Sequence, residues 1–95
     1  MRDVFDVKMT RAALKDLKKV PVHIAIKLQT WVDDVGYHGL NEVRKIPGYH
    51  DEPLKGKRAG QRSIRLSHAY RAIYRIEQDG SVKFVEIQEV TKHEY

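Results

Sequence analysis

The sequence predicts a single α+β domain in which two helices cover one face of an antiparallel sheet. The elements run in the order strand, helix, helix, long loop and three strands. Three observations predict this. Two stretches repeat apolar residues at three- and four-residue spacing, the last third of the chain alternates, and Gly, Pro and Asp signals separate these regions. At 95 residues the chain is long enough for one compact core, so residues 1–95 are read as one domain.

The first element is Val4–Lys8, a short β-branched segment that suits a half-buried or edge strand. Thr10 is placed to cap a helix over Arg11–Val20, where Ala13, Leu14, Leu17 and Val20 form the apolar stripe. Pro21 punctuates, and the second helix carries Ile24, Leu28, Trp31, Val32 and Val35 on one side, with Gly36 expected to end it. That pattern makes Trp31 a core residue. From Tyr37 to Gly60 no period persists, and the frequent Gly and Pro predict a long loop with one helical turn near Gly39–Ile46. A loop of this length in a small domain tends to be functional. The last third reads as a meander of Gln61–Leu66, Ala69–Glu77 and Ser81–Val90, with Ser67-His68 and Asp79-Gly80 at its turns.

Charge narrows the function. The net charge of +5 is spread evenly over the two halves, but the 24 residues from Pro53 to Ile76 hold Lys55, Lys57, Arg58, Arg62, Arg65, Arg71 and Arg75 with no Asp or Glu. Such clustering is the footprint of a polyanion-binding surface. Alternation puts Arg71 and Arg75 on one face of their strand, and Arg65 joins them if the strand register allows. The competing reading for each arginine is a surface ion pair with Glu77, Glu86 or Glu89.

Proton-transfer groups flank the basic stretch: Glu52 immediately before it, with His50 close by, and His93 and Tyr95 after it. Cutting RNA without a metal needs a base for the ribose 2′-OH, cations for the phosphorane and an acid for the departing 5′-oxygen. Glu52 can be the base, and Arg71 with Lys55 and Arg65 can hold the charge. Either His93 or Tyr95 can be the acid, and Tyr95 can alternatively stack on a base. His23, His38 and His68 are read as structural. With no cysteine and no His-x-x-x-His spacing, neither a metal nor a cofactor is expected. No apolar run is long enough to span a bilayer and no signal peptide is evident, so a soluble cytoplasmic protein without membrane partners is expected.

Glu52-Pro53-Leu54-Lys55-Gly56, Gln61-Arg62-Ser63-Ile64-Arg65-Leu66, Tyr70-Arg71-Ala72-Ile73-Tyr74 and Lys92-His93-Glu94-Tyr95, in this order, resemble the RelE/ParE toxin superfamily. The resemblance is strongest to its messenger-RNA-cleaving RelE, YoeB and HigB-like branch and covers most of the chain. It implies the RelE-like microbial RNase fold and a toxin of a type II toxin–antitoxin pair. The implied activity is a ribosome-dependent, metal-independent endoribonuclease that cuts translated mRNA in the ribosomal A site and leaves a 2′,3′-cyclic phosphate. By the same resemblance Glu52 is the general base, Arg71 steadies the transition-state phosphate, and Lys55 matches the motif lysine. His93 and Tyr95 resemble the terminal pair of YoeB-like chains, here separated by Glu94, so which of them acts stays open. Lys57, Arg58, Arg62 and Arg65 are the further RNA-contacting candidates, and His50 is a possible catalytic residue. The implied partners are a cognate antitoxin, the ribosome with its mRNA, and operator DNA only through the antitoxin complex. The rival reading within the superfamily is a non-catalytic ParE-like toxin that binds DNA gyrase.

Overall fold

The computed structural model describes residues 3–92. Its elements are β1 (Val7–Met9), α1 (Arg11–Leu17), α2 (Val22–His38), α3 (Leu40–Val43), β2 (Glu52–Pro53), β3 (Gln61–Arg65), β4 (Tyr70–Asp79) and β5 (Val82–Lys92), with single 3-10 turns at Pro47–Tyr49 and Gly56–Arg58. The five strands form one sheet in the order β1-β5-β4-β3-β2. Three of its four pairings are antiparallel; β1 runs parallel to β5, Val7 opposite Val85 and Met9 opposite Ile87. This corrects the expectation of a wholly antiparallel sheet. Two helices separate β1 from the meander, so no hairpin dictates its direction.

Thr10 caps α1 as its position suggested, accepting from the Ala13 N–H at 3.1 Å. The helix stops at Leu17 rather than Val20, with Lys18 as its cap. Helix α2 runs past Gly36 to His38, and Gly39 is the cap, with φ 84 and ψ 152. A Cβ at Gly39 would collide with the carboxylate of Asp3, which is committed to the N–H groups of Val4 and Asn41. Glycine is required there for both reasons.

Ile24, Leu28, Trp31 and Val35 are fully buried along α2, as their spacing predicts. They meet Ala13 of α1 and Ile64, Ala72, Tyr74, Val85, Ile87 and Val90 of the sheet in one core. Each such side chain contributes about 1.5–3 kcal/mol by leaving water. Trp31 tilts against Tyr74 at 5.2 Å between ring centroids. The side chain of Asp16 leaves α1 to accept the Val90 N–H at 2.9 Å, tying the helix to β5.

The region expected to be a long loop holds the anticipated helical turn as α3, and also a strand. Glu52 pairs with Ser63 and Pro53 with Arg62, so Glu52 lies on a sheet edge. The β4–β5 turn is tight: Asp79 pairs with Val82, leaving Gly80, at φ 61, and Ser81 to reverse the chain. At the other hairpin the Ser67 hydroxyl accepts from the N–H groups of Ala69 and Tyr70.

Candidate active site

The sheet face opposite the helices carries the cluster of interest. Register places Arg65 opposite Arg71, Ser63 opposite Ile73 and Gln61 opposite Arg75. Directly opposed residues share a face, so Arg65, Arg71 and Arg75 lie together. The pairing of Glu52 with Ser63 brings the carboxylate to the same face.

Arg71 is held by Ser63 and stands beside Glu52. Its Nη1 donates to Ser63 Oγ at 3.0 Å and lies 3.6 Å from Glu52 Oε1. The Arg71 side chain is 19% exposed, that of Glu52 60%. With Glu52 mostly exposed and 3.6 Å away, the contact contributes about 1 kcal/mol or less to stability. Among the described residues only Nη1 of the guanidinium is engaged. The remaining donors of the planar fork suit a pair of phosphate oxygens.

Towards β5 the face is neutralised. Arg58 reaches from the second 3-10 turn to Glu89 Oε1 at 3.0 Å and to Gln61 Oε1 at 2.9 Å. Arg75 lies 3.7 Å from Glu77 Oε1. These match the ion-pair reading of the sequence; Arg71, whose partner is the exposed Glu52, and Arg65 beside it make up the rest of the cluster. Lys55 and Lys57 are exposed on the segment that follows β2.

Arg62 departs from the expectation of an RNA contact. Strand alternation turns it to the other face, opposite Tyr74, where its Nε donates to Asp51 Oδ1 at 2.7 Å. Burial disfavours its charge, but the hydrogen bond and charge of Asp51 outweigh this and hold the guanidinium more firmly protonated. Tyr74 Oη donates to Asp51 Oδ2 at 2.6 Å; burial first, then this carboxylate, pushes the phenol well above its ordinary range, against the opposing effect of Arg44. Tyr49 likewise donates to Asp34 at 3.1 Å and is pushed up to about 12, chiefly by burial.

His50 is exposed and takes the left-handed conformation, φ 45 and ψ 49. His93 and Tyr95 lie outside the described residues. The last described strand positions, Thr91 and Lys92, are in register with Arg71 and Tyr70. Among the described residues no group of three or more His, Cys, Asp or Glu could hold a metal ion. An open depression of about 410 Å³ lined by Phe5, Val7, Val32 and Tyr37 lies by β1, at the opposite sheet edge from β2.

Sequence reasoning missed Ser63 and Asp51. Ser63 was legible as the small polar residue alternating with Ile64; Asp51 was hidden beside Glu52, with nothing local to say that one carboxylate points in and the next out.

No family model matches the chain, and no curated protein matches it. Solved structures do. The RelBE2 toxin–antitoxin complex from Mycobacterium tuberculosis contains a chain 26% identical, with TM-score 0.67, covering 95% of this chain and 99% of that one. A YoeB/ParE toxin from Agrobacterium tumefaciens is 21% identical at TM-score 0.67, covering 94% of this chain and 99% of that one. YafQ from E. coli is 17% identical at TM-score 0.72, covering 93% and 92%. The fold is that of the RelE/ParE toxin superfamily, as the motifs implied. Among the described residues no helix is long and apolar enough to cross a membrane.

Proposed function

We propose that this chain is the toxin of a toxin–antitoxin pair and that it cleaves messenger RNA. The observation that carries the reading is the meeting of Glu52 and Arg71 on an open cationic face, with Arg71 steadied by Ser63. The exposed Glu52 carboxylate, 3.6 Å from Arg71, adds little stability, and the pair suits a substrate that separates the two.

When RNA docks, a non-bridging phosphate oxygen replaces the Glu52 carboxylate as partner of Arg71. Glu52 is then free to take the proton of the ribose 2′-OH. The 2′-oxygen bonds to phosphorus, and Arg71, with Lys55 and Arg65, offsets the extra negative charge of the phosphorane. The bond from phosphorus to the 5′-oxygen breaks, and His93 or Tyr95 supplies the proton that leaves with it. The products are a 2′,3′-cyclic phosphate and a 5′-OH. The ribosome is the proposed setting, since so exposed a site has little means of its own to orient single-stranded RNA. The solved toxin–antitoxin complexes of similar fold support a cognate antitoxin as partner.

The test is cleavage of a defined message with and without ribosomes, comparing wild type with Glu52→Gln and Arg71→Ala. Ribosome-dependent cutting lost in both variants is expected. If wild type cuts no RNA under either condition, the nuclease reading fails and binding of the protein to gyrase is the measurement to make next.

A further inference from the structure

The chemistry above leaves one buried charge unused. The side chain of Asp51 is 0% exposed, yet it directly precedes the exposed Glu52. One oxygen accepts from Arg62 Nε at 2.7 Å, the other from Tyr74 Oη at 2.6 Å, and Tyr74 Oη accepts from Arg44 Nε at 3.5 Å. Since the Tyr74 ring packs on Trp31, Asp51 is tied through two contacts to the middle of the core.

Strand β2 needs such a tie. It is two residues long, both exposed, and Pro53 has no N–H to give the ladder. The chain reaches it through His50, which takes a left-handed conformation that a non-glycine residue adopts only under constraint. That turn lets Tyr49 and Asp51 both face inward with His50 exposed between them. Alternation then sends Glu52 outward to the face of Ser63 and Arg71.

Resting on the reading of Glu52 as the base, we infer that Asp51 is a positioning residue whose grip on Arg62 and Tyr74 fixes β2 so that Glu52 stands against Arg71. A carboxylate is required because it accepts from two donors at once while balancing the guanidinium of Arg62. An asparagine in its place would offer one oxygen and turn an amide donor towards the other partner.

The experiment uses the full chain as wild type, Asp51→Asn and Tyr74→Phe. Tyr74→Phe keeps the Arg62 pair and guards against a misfolded first variant. The first readout needs no activity: amide exchange at Leu54, whose N–H donates to Gln61 O at 2.9 Å beside β2. In Asp51→Asn it is expected to accelerate about tenfold while the β4–β5 ladder stays protected, with a smaller effect in Tyr74→Phe. The second readout is cleavage of a ribosome-bound message. The kcat is expected to fall about tenfold with KM within about twofold, and Asp51→Asn should add no loss in a Glu52→Gln background. Unchanged Leu54 exchange, or an equal loss with and without Glu52, overturns the inference. If wild type cuts no RNA, the proposed function fails by itself, and Leu54 exchange still decides the anchoring.

Discussion

Arg71→Lys separates the roles of charge and geometry at this site. Lysine keeps the positive charge but has no planar fork, so it cannot hold Ser63 Oγ and present two further donors to a phosphate. The stability cost can be worked from the contacts. Glu52 is mostly exposed and 3.6 Å away, so loss of this pair costs less than about 1 kcal/mol. Ser63 is 1% exposed, so leaving its hydroxyl without Arg71 costs about 1–3 kcal/mol. For a domain of this size about 1 kcal/mol lowers Tm by 4–8 °C, which leaves a folded protein at 25 °C for kinetic work. Loss of one aligned donor to a developing oxyanion costs about 10²–10³-fold in kcat. The assay is single-turnover cleavage of a ribosome-bound message at 25 °C, with melting followed by circular dichroism. A kcat within about threefold of wild type, with the expected Tm drop, would refute the reasoning, since Arg71 would then be a structural partner of Ser63.

Other perturbations test the remaining links. Glu52→Gln removes the base while altering only an exposed edge residue, so cleavage should fall at least about 100-fold with stability within about 0.5 kcal/mol, checked by urea titration beside the kinetics. Gly39→Ala meets both a positive φ and the Asp3 carboxylate, and chemical denaturation should register a loss of about 1–3 kcal/mol. Trp31→Ala opens a cavity against Tyr74 and should cost about 3–5 kcal/mol in the same measurement. Tyr49 has a folded-state pKa raised from 10.0 to about 12, so the folded protein holds this proton more tightly than the unfolded chain. That stability is complete below pH 10 and is lost as pH rises towards 12; Tyr49→Phe should flatten the part of the decline that Tyr49 causes, while Tyr74, shifted the same way, continues to contribute.

The helices and the core were legible because their signals are local. Ile24, Leu28, Trp31 and Val35 announce a buried stripe and are fully buried, whereas Val32 of the same stripe is half-buried and Leu14 of the expected α1 stripe is exposed. The end of α2 was not, because Gly36 and Gly39 look alike until the approach of Asp3 selects one of them. The strand at Glu52–Pro53 was hidden for a different reason: two residues carry no alternation, and their extended state is imposed by β3 and the buried Asp51. For the arginines, alternation in β4 separated Arg71 and Arg75 from the core side. Alternation in β3 likewise sets Arg62 on the side of Ile64 and Leu66, but only the β3–β4 register could add Arg65 to the cluster. Glu52 and Arg71 were named from motifs 19 positions apart along the chain. Their approach to 3.6 Å is a product of the β2–β3–β4 pairing that no single motif contains.

In the proposed reaction Glu52 draws a proton from a ribose 2′-OH beside Arg71. A single 2′-deoxy substitution at the mapped scission position of a ribosome-bound message tests it most directly. The all-ribose message is expected to yield a 2′,3′-cyclic phosphate and a 5′-OH, and the deoxy message to stay uncut at that position. Cutting of the deoxy message there, or a 3′-OH end on the natural one, would contradict it.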